Sequence, residues 1–257
     1  MSLNPLSLFR AMPGSIAQGM IWGVMALGVY ITFRLLDFAD LTVDGSIATG
    51  AAVSVMLIRA GVSPIATLPI AFLAGALAGM VTGLLNTALG IPGILASILT
   101  QISLYSINLN IMGKANQPVS VDNYPLVVSL RYVTDGSVSR LLFFLGMIVF
   151  LLALIAVMYW YFGTEQGHAI RATGCNSNMA RAQGINTNFI KVLALMISNG
   201  LVGLCGALYG QFQGASDVNM GRGAIVIGLA AVIIGEVLFG KFASKSCLLY
   251  TSDAADE

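Results

Sequence analysis

Charge is what this sequence has least of. Twelve Lys and Arg and eleven Asp and Glu are spread over 257 residues, 9% of the chain, where a water-soluble domain carries about 25%. So few charges cannot cover a globule of this size against water, which argues against a soluble enzyme. The formal net charge of +1 offers no basic face, so no nucleic acid is expected as a partner. Cysteine is scarce too. Cys175, Cys205 and Cys247 form no CxxC pair, so neither a metal site nor a disulfide framework is signalled. His168 is the one histidine, and no Ser or Cys nucleophile is paired with it nearby, which leaves a catalytic triad without support. No GxxxxGK[ST] run occurs, so if ATP drives this protein another polypeptide must bind it. No catalytic residue, metal or cofactor is expected.

What the chain has in abundance is apolar length: 57% of it is hydrophobic and 29 residues are glycine. A helix needs about 20 mostly apolar residues to cross a bilayer. Seven runs qualify or nearly do: Ile16–Phe33, Leu41–Ile58, Ile65–Leu89, Gly93–Met112, Leu141–Phe162, Phe189–Phe212 and Ala224–Phe239. The second carries Asp44 near its start, and the seventh is short and interrupted by Glu236. A single run in lipid must satisfy its backbone internally, so the expected class is all-α, a polytopic transmembrane helix bundle of about seven spans. Small residues recur every fourth position at Gly75, Gly79 and Gly83, at Gly206, Gly210 and Gly214, and at Gly19 and Gly23. Such rows let helix backbones approach closely. Packing inside one subunit is the favoured reading, with a translocation path or a dimer seam as the alternative.

Two connections are long and polar, Gly113–Arg140 and Gly163–Asn188, and the spacing of the runs places them on opposite sides of the membrane. Lys and Arg divide evenly between the two sides, so the positive-inside rule gives no orientation. In the second connection Asn176 suits a helix N-cap, Ser177–Gln183 a short helix, and Gly184 a left-handed stop. Met179, Ala180 and Ala182 would give that helix a small, knob-like surface. It suits a groove in a partner protein, or it is a surface turn with no partner; spacing alone leaves both open.

Three stretches carry a resemblance: Trp22–Asp44, WGVMALGVYITFRLLDFADLTVD; Ala172–Asn186, ATGCNSNMARAQGIN; and Ile225–Gly240, IVIGLAAVIIGEVLFG. They resemble the permease subunits of ATP-binding-cassette importers, in the branch of branched-chain amino-acid and simple-sugar permeases. The likeness is greatest to the permeases assigned to amino acids, aromatic ones included. It implies a subunit of the bacterial cytoplasmic membrane that works with an ABC ATPase, an extracytoplasmic substrate-binding protein and a second permease copy, identical or a close paralogue, in membrane lipid. It implies that Gly174, Asn176, Met179, Ala180, Arg181, Gly184 and Asn186 belong to a cytoplasmic loop that docks on the ATPase, with Gly113–Arg140 on the outer side. Cys175 departs from the acidic residue common there. The alternative class is an ion-coupled secondary transporter or channel, which would need ionisable groups near the bilayer centre; mid-span charges are nearly absent.

Polar residues within spans are functional candidates. Gln101 and Asn108 lie seven apart in the fourth run and share a face. They could line a substrate path, or hydrogen-bond between helices. Glu236 reads as structural, either at the membrane interface or, if buried, paired with a Lys or Arg, Lys241 being nearest in sequence. Asp37, Asp40 and Asp44 recur at helical spacing. A solvated span boundary offset by Arg34 is favoured over a cation site. Residues 1–246 read as the transmembrane permease domain. Residues 247–257 resemble a translated sequencing-library adapter, and on that reading the permease domain is incomplete at its C-terminus.

Overall fold

The structure, a computed structural model, describes residues 5–119, 126, 128 and 137–243; the expected boundary at 246 and the segment 247–257 lie outside these. Each of the seven apolar runs is a helix. α1 covers Pro5–Tyr30 and passes into a π turn at Ile31–Leu35; α2 is Thr42–Arg59, α3 Pro64–Thr87 and α4 Gly93–Met112. Strand β1, Asn116–Pro118, follows. α5 is Ser137–Phe162, α6 Glu165–Cys175, α7 Ser177–Ala182 and α8 Thr187–Gln213. Strand β2, Ala215–Asp217, and α9, Ala224–Ala243, complete the described chain.

Local chemistry sets several ends. Pro64 opens α3, where its missing N–H has no partner to lose. α4 stops at Gly113 and α8 at Gly214, both in the left-handed region (φ 66° and 68°). Among the described residues five helices are long and apolar enough to cross a membrane: Met12–Leu35, Pro64–Thr87, Gly93–Met112, Leu142–Phe162 and Thr187–Gln213. α9 contributes a shorter apolar stretch, Ala224–Leu238. α2 carries Asp44 and Arg59 and falls outside that set, yet most of its residues are buried by neighbouring helices. Its neighbours shield it from lipid, so it needs less apolar surface than an outer span.

α8 is the axis of the bundle. Of its most apolar window 72% is buried inside the protein, against 6% for α5, whose side chains face outward. The glycine rows explain how α8 is surrounded. A methyl group at Gly75 would lie 2.2 Å from the Asn199 carbonyl oxygen, and one at Gly79 2.2 Å from that of Leu195. On the other side a methyl at Gly50 would meet the Gly203 carbonyl at 1.9 Å, and one at Gly206 that of Ile47 at 2.0 Å. α3 and α2 therefore press backbone to backbone on α8, as expected where dispersion rather than water drives helix association. The first two rows serve packing within the chain, with Gly214 acting as the α8 cap. Gly19 has nothing within 4 Å.

Buried polar bonds fix the register. Gln211 Nε2 donates to Ser54 Oγ (3.1 Å), Thr67 Oγ1 (3.2 Å) and the Pro64 carbonyl (3.3 Å). Thr42 and Thr82 share a hydroxyl–hydroxyl bond of 2.8 Å. Lower on α8, Asn199 Nδ2 donates to Asp40 Oδ2 (2.7 Å), and Ser46 donates to Asn199 Oδ1 (2.6 Å). At 1.5 Å per residue Asn199 stands about 18 Å from Thr187 and about 21 Å from Gln213. Asp40 thus reaches the middle of the bundle, bonded and 2% exposed, rather than lying at a solvated boundary.

The three aspartates share no face. Asp37 sits at φ 51° before α2, Asp40 is the buried partner of Asn199, and Asp44 is in the first turn of α2. Arg34 pairs with Glu236 instead, Nη2 to Oε1 at 2.8 Å, with both side chains partly exposed. The expected Lys or Arg partner of Glu236 is thus Arg34, which α1 brings beside α9. Beyond α4, β1 pairs antiparallel with β2, Gln117 opposite Ser216, and ties the first polar connection to the end of α8. Arg59, at the end of α2, donates to the Gln117 side chain there.

Candidate functional site

Two places in the bundle concentrate polar groups. The first is the connection between α5 and α8. More of it is helical than its polarity suggests, because α6 occupies Glu165–Cys175. Its apolar Ile170 is fully buried among Ile31, Leu36, Phe162 and Ile190, which holds the helix to the bundle. Gly174 makes the closest approach: a methyl there would lie 2.0 Å from the Leu35 carbonyl oxygen at the end of the π turn.

Asn176 then breaks the helix in an extended conformation (φ −155°) and caps α7. Its Oδ1 accepts from Asn178 N (3.1 Å) and Met179 N (3.0 Å), satisfying two of the donors that a helix start leaves free. Gly184 follows at φ 85°, and Asn186 caps α8 by accepting from Phe189 N (3.2 Å). The expected cap, short helix and left-handed stop are present, with the helix ending at Ala182. Arg181 reaches back: Nε donates to Thr187 Oγ1 (2.7 Å) and Nη2 to Asn188 Oδ1 (3.2 Å). That side chain fastens α7 to the start of α8. Ala180 is 2% exposed and faces the bundle, whereas Met179 is 60% exposed and stands outward. Of the expected knob, Met179 is the outward part and Ala180 the packed base.

The second place is a cavity of about 350 Å³ between α2, α4 and the segment before α9. Gln101 and Asn108 are both in its wall, with Tyr105 and Ser106 of the same helix, Asp44 and Ala48 of α2, and Arg222. Asp44 holds the start of α9 in place. Its Oδ2 accepts from Gly223 N (3.1 Å) and its Oδ1 from Ile225 N (3.0 Å), a helix cap supplied from another helix, with its charge at the favourable end of the α9 dipole. Gly221 lies so close that a methyl there would meet the Asp44 carbonyl at 1.9 Å.

Asn108 is fully buried, and neither its Nδ2 nor its Oδ1 has a hydrogen-bond partner. Leaving both ends of a buried amide unpaired costs about 1–3 kcal/mol per group. This bears on the interhelical alternative, since Asn108 makes no such bond. Sequence reasoning found Gln101 and Asn108 but not Asp44 or Arg222 beside them, because those come from other segments. The charge of Asp44 inside a run was the available signal. Among the described residues no group of His, Cys, Asp and Glu could hold a metal ion.

Comparison with known proteins places the chain as a whole. Residues 12–249 match the family model of the branched-chain amino acid transport system permease component. The chain is 41% identical over 227 residues to the tyrosine transport system permease protein of Clostridioides difficile, covering 88% of this chain and 73% of that one. It is 27% identical over 218 residues to the inner membrane ABC transporter permease protein YjfF of Escherichia coli, covering 84% and 64%. It is 30% identical over 218 residues to the autoinducer 2 import system permease protein LsrC of Yersinia pseudotuberculosis, covering 83% and 58%. No solved structure matches the chain.

Proposed function

Because this chain belongs to the branched-chain amino acid transport permease family, and so is a multi-pass transport subunit of the bacterial cytoplasmic membrane, we propose that it imports an amino acid, driven by a separate ATPase that grips α7. The observation that carries the reading is the short helix capped by Asn176, with Met179 outward and Arg181 tied to α8. A surface helix fastened at both ends transmits displacement rather than absorbing it. Gly174 against Leu35 and Arg181 against Thr187 give it connections to α1 and α8.

On this reading the α5–α8 connection is cytoplasmic, and β1 and β2 are on the outer side, where a binding protein delivers the solute. A second permease copy completes the pathway. Gln101 and Asn108 line the route on the α4 side. ATP binding shifts the bundle between outward- and inward-open states only to the extent that the ATPase binds them differently. The likeness to a tyrosine permease favours an amino acid over a sugar.

The test is ATP-driven uptake of radiolabelled L-tyrosine and L-leucine into proteoliposomes holding the permease, its ATPase and its binding protein. Met179→Glu places a charge on the outward tip without disturbing the buried base. The variant is expected to lose the ATPase on copurification, or to hydrolyse ATP without uptake. A Met179→Glu complex that assembles and transports like the parent would defeat the assignment of α7 to the ATPase.

A further inference from the structure

The cavity beside Asn108 holds two opposite charges that do not meet. Among the described residues the ion pair is Arg34 with Glu236, so Arg222 and Asp44 share one wall without pairing to each other. The Arg222 guanidinium has no hydrogen-bond or ion-pair partner among the described residues. Asp44 accepts one backbone N–H on each oxygen and keeps lone pairs free for another donor. The Arg222 side chain is exposed and free to meet a solute, and polar groups placed within a bundle in lipid point to function. The same cavity is lined by Asn108, with an unused donor and an unused acceptor. The rest of the wall sets apolar Ala48, Ile102, Val218 and the Tyr105 ring beside polar Gln101 and Ser106.

We propose that this cavity binds a free α-amino acid as its zwitterion, the carboxylate on Arg222 and the ammonium on Asp44, with Asn108 turning to the bound solute. This rests on the importer reading above and deepens it by naming the groups that select the substrate. A simple anion would meet Arg222 but be repelled by Asp44, and a simple cation the reverse. A zwitterion closes both charges at once. The guanidinium offers a planar fork to a carboxylate, and Asn108 gains partners only when the solute is present. The apolar wall takes the side chain, and about 350 Å³ falls within the size range of small-molecule sites, roughly 300–1,000 Å³. Removing the carboxylate, as in an amino-acid amide, leaves the ammonium on Asp44 but Arg222 unpaired, a net positive charge in the cavity.

The experiment labels the cavity directly. Ser106→Cys is made with Cys175→Ser and Cys247→Ser, leaving the buried Cys205, and the complex with ATPase and binding protein is placed in proteoliposomes. The maleimide reaction at position 106 is timed with L-tyrosine, L-leucine, L-tyrosinamide and L-leucinamide, alongside uptake. The expected result is that at least one amino acid slows labelling, about threefold at twice its dissociation constant, while its amide does not. Arg222→Gln abolishes the protection and Arg222→Lys keeps part of it. The comparison of acid with amide needs no change at Arg222, so it stands even if Arg222→Gln fails to fold. If uptake proceeds but neither amino acid slows labelling, or the amides protect equally, the assignment is overturned and the importer reading survives. If an ATP-hydrolysing complex takes up neither amino acid, the amino-acid reading fails and this assignment fails with it.

Discussion

Replacing Gly50 with alanine adds one methyl group where α2 meets α8, and the geometry sets its effect. The new carbon would lie 1.9 Å from the Gly203 carbonyl oxygen, 2.6 Å from its carbonyl carbon and 2.8 Å from its Cα. All three are backbone atoms of a helix and cannot rotate away. Ordinary contact begins at 3.4 Å, so α2 must retreat by about 1.5 Å at this point, the difference from 1.9 Å. Overpacking of this kind typically destabilises by about 1–3 kcal/mol. For a chain of this size each kcal/mol moves the melting midpoint by roughly 2–4 °C, giving a loss of about 2–12 °C. Gly19→Ala is the matched control. It adds the same methyl to a helix, but nothing lies within 4 Å of it, and alanine is favoured over glycine in a helix by about 0.5–1 kcal/mol. The assay is the fraction of detergent-purified protein that still elutes as a single peak after heating across a temperature series. Gly50→Ala should lose its peak well below the parent and Gly19→Ala at or above it. Equal midpoints for the two variants would refute the claim that backbone contact between α2 and α8 holds the bundle.

Asn199→Leu removes the amide that joins Asp40 to Ser46; stranding a buried charge or hydrogen-bonded group of this kind costs about 3–5 kcal/mol, so this variant should fall further in the same heating assay than Gly50→Ala. Asn176→Ala should cost about 0.5–2 kcal/mol of local helix stability, seen as faster amide exchange over residues 177–182 with no change in α2 or α3. Arg34→Gln and Glu236→Gln break a half-exposed pair and should each shift the midpoint by no more than about 1 kcal/mol allows; a double variant no worse than either single one would place the effect in the pair itself.

The sequence carried the long elements well because their signal is local. Twenty apolar residues in a row must be a helix in lipid whatever surrounds them, and each of the seven runs is one. The second and seventh runs, weak by composition, proved to be α2, shielded inside, and α9, whose start is held by Asp44. What was not legible depends on contacts across the chain. That the basic partner of Glu236 is Arg34 follows from α9 packing along α1. β1 and β2 are three residues each, too short for any pattern, and each exists because the other is there. α6 lacks the apolar length of a span, and one side chain, Ile170, buries it. At the candidate site the same division holds: Gln101 and Asn108 stood out as polar residues in an apolar run, whereas their proximity to Asp44 and Arg222 required the fold.

The contact at Gly174 has a mechanical consequence. Most helices touch through side chains, and side chains yield: a leucine can swing to another rotamer and swallow an ångström of motion. At Gly174 no such cushion exists, because the main chain of α6 rests on the Leu35 carbonyl. A displacement of α6 at this point would be passed to the π turn as through a rod rather than a spring. Any side chain larger than hydrogen at that spot would prise the joint open and put slack into the linkage.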